Sequence, residues 1–363
     1  MKLLKLQLQN FRNYDKYNLE FDESNNIFIL LGENGKGKTN ILESIFMLST
    51  GKTFRNVDQD SMIKWGFDFF TTKGEIQENP DDETTEIEVS YSNYPRKQKI
   101  FKINEVSKKH YEYLGNFITV IFHPKDINLL YLEPSLRRKY LNLLLAQTDK
   151  YYLEALSNYH KIKKQRNALL DEISEGTKSV SELDVWDEKI AKEGTFIIEK
   201  RQKFVDFLNK KIKPTYRKIS GGKEEIFVKY KSQISTETEE ELLDNYLRKL
   251  KLKRDKDIRY GTTSLGPHRD DIEFYLDDHL FHECASRGEA RTLIISLKIS
   301  EITFIEKETK SSPILLLDDV FSELDENRQK HLFEAIKNCQ TIITAAEKSH
   351  IKAAESDSKT IPL

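Results

Sequence analysis

Cysteine is nearly absent: Cys284 and Cys339 are the only two in 363 residues, and no CxxC pair occurs. A disulfide framework and a cysteine-built zinc site are thereby excluded, so a metal, if one is used, must arrive with a ligand. Long hydrophobic runs are missing as well. The chain has no stretch of about 18 apolar residues, and its start, MKLLKLQLQNFRNYDKY, alternates polar with apolar residues where a secretory signal would be continuously apolar. A cytoplasmic location is the expectation. Nor does charge of one sign dominate: 58 Lys and Arg stand against 60 Asp and Glu, for a formal net charge of −2. With a pI near 6.5, a globally basic surface is excluded and any contact with nucleic acid must be local.

What is present is 38% hydrophobic and 33% charged residues, the balance of a soluble protein with long solvated helices. At about 150 residues per domain, the length suggests two units. Leu4, Leu6 and Leu8 alternate with polar neighbours, and Ile27 to Leu31 is an apolar run that meets Gly32, so residues 1–31 read as strands. Ile41, Leu42, Ile45 and Phe46 then have helical spacing, which gives the order strand, glycine loop, helix. Alternation over 86–91 and 97–103 predicts a β-meander within 69–102. After Pro134 the spacing predicts one long helix reaching Leu169, and a second from Leu183 to Leu208 that Pro214 stops; the largely polar stretch Ser174–Glu182 between them makes a helical hairpin arm. A strand near Ile226–Tyr230 and a charged helix near Glu239–Lys253 lead on towards Gly266. The expected fold is α/β, a mixed sheet with a β-meander and an inserted α-helical hairpin arm. Its expected parts are an N-terminal core part at 1–130, the helical insertion at 131–255 and a C-terminal core part at 256–363.

Gly32-Glu33-Asn34-Gly35-Lys36-Gly37-Lys38-Thr39 matches GxxxxGK(S/T) without a gap. Glycines let the backbone curl so that its N–H groups surround a phosphate at a helix N-terminus; Lys38 is placed to reach the β- and γ-phosphates and Thr39 to offer a hydroxyl to Mg²⁺. Such a site also needs a carboxylate at the end of a buried strand. Ile314-Leu315-Leu316-Leu317-Asp318-Asp319 supplies it: four apolar residues and then acid describe a strand covered on both faces that emerges at the carboxyl edge of a parallel sheet. Asp318 is assigned to the metal shell, and Asp319 to polarising an attacking water. A third segment, Ala285-Ser286-Arg287-Gly288-Glu289-Ala290-Arg291, opens a helix with an N-terminus receptive to an anion; alone, it reads equally as an ordinary helix cap.

Taken in order, the glycine loop, the ASRGEAR segment, the LLLDD strand and the following SELD resemble the ABC-type ATPase heads of the SMC and Rad50 group, and within it the RecF family of bacterial DNA-repair proteins. The resemblance runs over nearly the full length, through Asn10–Tyr14, Gly32–Glu43, Phe54-Arg55, Phe122-His123-Pro124 with Asp126, Arg137-Arg138, Gln165-Arg166-Asn167, Trp186-Asp187, Gly266–Asp271 and the C-terminal motifs. It implies that Gly32 to Thr39, with Asn40 and Arg12, bind ATP and Mg²⁺. It also implies that Ser286 and Gly288 act across an ATP-dependent homodimer, and that Asp318, Asp319 and Lys38 carry a weak, DNA-stimulated ATP hydrolysis. The implied partners are single-stranded, gapped or junction DNA bound without sequence preference, together with RecO and RecR; the implied roles are recombinational repair, replication restart and SOS induction. This chain departs from the usual pattern at Glu289, which is expected to weaken the contact across the dimer, and at Thr344, where many ABC proteins carry a histidine; with Asp319 in place of the usual glutamate as well, hydrolysis is expected to be slow.

Other residues carry two readings. Arg12 and Arg55 fit a phosphate or a solvated surface. His268-Arg269-Asp270-Asp271 fits a divalent cation or hydrogen-bonded structure. The clusters Lys161–Arg166, Lys210-Lys211 and Lys249–Arg254 fit a DNA backbone or a solvated helix face. Two rival functions stay open at this point, a small-molecule kinase built on the same loop and a scaffold that binds without hydrolysis.

Overall fold

In the computed structural model, residues 1–55, 57–79, 81–234, 239–347 and 358–363 are described, 239 and 240 by backbone alone. The chain runs through strands β1 (Lys2–Phe11), β2 (Tyr14–Glu20) and β3 (Ile27–Leu31), helix α1 (Lys38–Thr50), then β4 (Phe69–Gln77), β5 (Thr85–Ser92), β6 (Gln98–Ile103) and β7 (Val106–Lys108). Next come α2 (His110–Tyr113), β8 (Thr119–Phe122), α3 (Asn128–Tyr131), α4 (Pro134–Thr148), α5 (Lys150–Ser174), α6 (Leu183–Ser220), β9 (Ile226–Lys231) and α7 (Glu239–Tyr260). The last part holds β10 (Asp271–Leu276), β11 (His279–Leu280), α8 (Phe281–Cys284), α9 (Arg287–Thr309), β12 (Ile314–Asp318), α10 (Glu326–Ile336), β13 (Thr341–Ala345) and β14 (Ser358–Pro362).

Two compact units result, one of Met1–Ile127, Thr215–Gly222 and Ser286–Leu363, the other of Asn128–Pro214 and Lys223–Ala285. The division differs from the expected boundaries at 256–285, which group with the helical insertion because β10 pairs with β9 in antiparallel register, Phe274 opposite Val228. In the first unit, a five-stranded sheet has the order β14-β3-β13-β12-β8, and all its pairings are parallel. Apolar runs such as ILLL and IFILL suit it, since a sheet covered on both faces has no solvent side for polar residues to occupy. The meander is antiparallel, in a second sheet of order β2-β1-β4-β5-β6-β7. Its strand β4 shows the alternating burial expected of a sheet with one packed face.

The helical unit departs from the sequence-based expectation in three places. The long first helix is broken, because Asp149 turns extended and its carboxylate caps α5 by accepting from the N–H groups of Tyr151 and Tyr152. Pro214 does not end the second helix: α6 continues to Ser220. Buried Ile212, Tyr216 and Ile219 anchor both sides of the proline, so packing outweighs the one hydrogen bond it deletes. The third departure concerns Arg166, which is fully buried and not part of a DNA-facing run. Its Nε donates to Asp187 at 2.8 Å and its Nη1 to Asp257 at 2.9 Å, while Arg254 takes the other oxygen of Asp187 at 2.7 Å.

This interior makes stability depend on single charges. Replacing Arg166 by Met strands the buried Asp257 carboxylate, which costs about 3–5 kcal/mol; a lower urea midpoint followed through Trp186, which packs on the neighbouring apolar cluster of Leu169, Leu170, Ile173 and Leu183, is the readout. His268 is also held inside. Its Nε2 donates to the Thr263 carbonyl at 3.0 Å, so Nδ1 accepts from the Tyr159 hydroxyl at 2.6 Å. Burial, with Lys163 nearby, pulls its pKa down to about 3. A depressed folded value stabilises above the ordinary pKa of about 6.5 and is lost as pH falls towards 3. The stability gap between the parent and His268→Gln therefore narrows as pH drops from 7 to 5, by roughly 1 kcal/mol per unit below 6.5; Asp270, pushed up to about 6 by burial, acts in the opposite sense and cancels in the difference.

Candidate functional site

The loop after β3 curls because Gly35 and Gly37 take φ of +88° and +102°, angles that a side chain disfavours. Space is a second constraint at Gly37, where a Cβ would stand 2.6 Å from the Tyr14 hydroxyl and 2.7 Å from Asn13 Nδ2. Asn13 also accepts from Asn40 Nδ2 at 2.8 Å, so the β1–β2 turn braces the loop from outside. The first helical N–H groups follow directly at Lys38 and Thr39. Lys38 is only 8% exposed, and its Nζ donates back to the carbonyls of Gly32 and Glu33.

Three parallel strands bring the acid strand to this loop. β13 lies between β3 and β12, and Thr344 on it stands opposite both Leu30 and Asp318. The Thr39 hydroxyl donates to Asp318 Oδ1 at 2.7 Å across 279 residues of sequence. Thr344 donates to the same oxygen at 3.0 Å and accepts from the Asp319 N–H at 2.9 Å. Asp319 then turns to φ +52°, a left-handed conformation that costs a non-glycine residue about 1 kcal/mol or more. Thus the chain leaves the strand with one carboxylate turned to Thr39 and the next residue bent away.

His123, at the end of β8 on the other side of β12, supplies a contact that the sequence did not signal as functional. Its Nδ1 accepts from the Lys125 N–H at 3.0 Å, so the neutral ring carries its proton on Nε2, 3.6 Å from Asp318 Oδ2. Burial lowers the His123 pKa against the opposing pull of Asp318 and Asp126. Behind it, Asp126 accepts from the His123 N–H at 3.0 Å and pairs with the buried Lys298 of α9 at 3.7 Å. The signals in the sequence are its position directly after a buried strand and its place in the Phe122-His123-Pro124 match to the family.

The remaining expected residues lie as follows. Arg12 differs from expectation, because its guanidinium forks onto the fully buried Glu43 at 2.8 and 2.9 Å and its Nη1 donates to the Ser61 carbonyl at 2.8 Å. Arg55 reaches the same carboxylate at 3.8 Å. Ser286 caps α9 in a capping box, its N–H donating to Glu289 Oε2 at 2.7 Å and its Oγ accepting from the Glu289 N–H at 3.3 Å. Glu289 is thus tied to the helix start, where the dipole favours a carboxylate. Arg328 of α10 fastens the carbonyl of Gly288 at 3.1 Å. The second aspartate of the expected cation-binding segment is likewise committed: Asp271 accepts both arms of Arg137 at 2.7 Å. Among the described residues, no group of three or more His, Cys, Asp and Glu could hold a metal, and no helix is long and apolar enough to cross a membrane.

A glycine loop opening a helix, an acid strand one removed from it in a parallel sheet, and a capped helix ahead of that strand define the head of an ABC-type P-loop ATPase. Comparison with known proteins narrows the class. The chain matches the RecF/RecN/SMC N terminal domain over residues 2–362, and it belongs to the RecF family. It is 40% identical over 355 residues to the DNA replication and repair protein RecF of Thermoanaerobacter pseudethanolicus, covering 97% of this chain and 96% of the relative. With the protein of the same name from Bacillus cytotoxicus, identity is 37% over 349 residues, at 95% and 91% coverage. A solved structure described as the recombination mediator protein RecF-ATP in the RecFOR pathway superposes with a TM-score of 0.89 at 34% identity, covering 96% of this chain and 92% of that one. The Smc head of Pyrococcus furiosus shares the fold at 16% identity and TM-score 0.55, covering 99% and 92%.

The loop geometry separates two substitutions. Gly35→Ala meets open space and costs only backbone strain, about 1 kcal/mol. Gly37→Ala adds a steric clash with Tyr14 and Asn13, and amide hydrogen exchange across 32–39 should quicken at least several-fold more than in Gly35→Ala.

Proposed function

We propose that the chain binds ATP with Mg²⁺ in the β3–α1 loop and uses it to close a homodimer on DNA in repair and replication, slow hydrolysis then releasing the dimer. The observation that carries this reading is the 2.7 Å hydrogen bond between Thr39 and Asp318, which joins a phosphate cradle to a buried carboxylate. Hydroxyl and carboxylate oxygens are the donors that Mg²⁺ accepts, so Thr39 and Asp318 fit as its protein ligands, the phosphates completing the shell. The ion would neutralise charge developing on the phosphates. The other chemistry falls to side chains: Lys38 to the β- and γ-phosphates, Asn40 to the cradle wall, Asp319 to accepting a proton from the attacking water. His123 stands beside Asp318, its Nε2 3.6 Å from Oδ2.

Ser286 and Gly288 serve the partner copy's nucleotide in this reading. In this chain Glu289 already occupies part of that helix terminus, which favours a weak contact across the dimer and slow turnover. The relatives named as DNA replication and repair proteins, and the neighbour described as bound to ATP in the RecFOR pathway, support extending DNA and the mediators RecO and RecR to this chain as partners. Single-strand gap repair, replication restart and SOS induction are the proposed roles, and the cytoplasm the proposed location.

Isothermal titration with Mg-ATP, together with light scattering, tests the site. The parent should bind and dimerise. Lys38→Met should lose at least tenfold in affinity, about 1.4 kcal/mol, and remain a monomer. Ser286→Arg should bind ATP yet fail to dimerise. Dimerisation of that variant would remove the role across the interface, and an absence of ATP uptake by the parent would defeat the whole reading.

A further inference from the structure

In the helical unit, three cations from three separate segments meet, none of them ion-paired among the described residues. Arg138 on α4 donates through Nη1 to the carbonyl of Asp270 at 3.0 Å, which sets it beside the neighbouring Arg269. Tyr159 on α5 bonds His268 at 2.6 Å. Lys163 lies one helical turn on, at i+4, and so shares the face of α5 that meets this loop. None of Arg138, Lys163 and Arg269 forms an ion pair among the described residues. The nearest acids are engaged elsewhere: Asp271 takes both arms of Arg137, and Asp270 is buried and accepts from the Tyr230 hydroxyl at 2.6 Å. Below them the fully buried Arg201 donates only to neutral groups, among them Asn142 Oδ1 at 2.8 Å and the Pro267 carbonyl.

Like charges held this close repel. Lys163 is half-buried, and burial together with Arg269 and Arg138 lowers its pKa; Arg138 is lowered by burial and by Arg201 and Arg269, against the pull of Asp271. His268 adds no charge, since the same surroundings keep it neutral. A fold with as many acids as bases could have placed a carboxylate here, and it leaves the charge uncompensated on its surface. Arg269 is exposed, and the half-buried Lys163 and Arg138 flank it.

We infer that Arg138, Lys163 and Arg269 form a phosphate-binding subsite for the sugar–phosphate backbone of DNA. The inference rests on the DNA-binding role proposed above and assigns it a place. Two guanidiniums, one of them fixed by the Asp270 carbonyl, and an ammonium suit the oxygens of a phosphodiester, a contact that positions the backbone and carries no base sequence.

The test is DNA affinity of the full chain, with Mg-ATP, as a function of salt. Removing one cation that neutralises a phosphate lowers the slope of log K against log salt by about 0.7 to 0.9. Lys163→Gln and Arg269→Gln should each weaken binding severalfold for any DNA sequence and reduce the slope by that amount, while Lys163→Arg retains it. ATP affinity should not change. Because the removed charges form no ion pair among the described residues, the melting temperature of the two glutamine variants should hold or rise slightly. Unchanged affinity and slope in a parent that binds DNA overturns the subsite and leaves the DNA-binding role standing. A falling melting temperature in both variants would overturn it as well, by showing the cations to be structural. A parent with no salt-dependent DNA binding defeats the functional reading and the subsite together.

Discussion

One hydroxyl–carboxylate contact, Thr39 on Asp318, holds the site together, and the parallel sheet exists in the form that permits it. Thr39 lies in the first turn of the helix that follows β3; Asp318 ends β12; a single strand separates β3 from β12. Register does the rest. Since β3, β13 and β12 are parallel and aligned, Leu30, Thr344 and Asp318 lie in one row at the carboxyl edge of the sheet. Thr344 fills the gap in that row by serving both aspartates, donating to the side chain of one and accepting from the backbone of the next. A valine of the same shape would remove both the acceptor of the Asp319 N–H and the donor to Asp318 Oδ1.

The same logic of satisfying buried polar groups organises the helical unit. Arg166 and Arg201 are both buried, yet their charges are balanced differently. Arg166 faces two aspartates, giving a network that is costly to break from one side. Arg201 finds hydroxyls, an amide and a carbonyl, so its charge is solvated by dipoles and compensated only at longer range by Asp270. The segment from Gly266 to Asp271 threads between these centres. Gly266, at φ +127°, passes where a Cβ would stand 2.1 Å from the Tyr246 hydroxyl and 2.3 Å from that of Tyr159. The motif is therefore structural in its glycine, its histidine and its two aspartates, and Arg269 alone of its charged residues points its charge outward.

Much of the core was legible in the sequence because its signals are local. The glycine loop, the run of four apolar residues before Asp318, and the alternation in the meander each state a backbone conformation within ten residues, and each element formed where it was read. Local signals failed where packing outweighed propensity. Pro214 carries a strong instruction to stop a helix, yet the buried residues around it keep α6 going. The polar residue Asp149, unremarked in a helical pattern, breaks that pattern by capping the helix that follows.

The sequence by itself determined that a phosphate cradle, a buried acid strand and a receptive helix start are all present, because each is encoded by contiguous residue types with fixed backbone demands. Tertiary structure decided what each side chain faces. It turned Arg12 onto Glu43, closed Ser286 and Glu289 into a cap, buried Arg166, and set His123 against Asp318. Apart from that local cap, these outcomes depend on partners tens to hundreds of residues away, and a charged side chain goes to whichever distant group best offsets its loss of water. Sequence spacing records where such a residue starts from; only the folded register fixes where its charge ends.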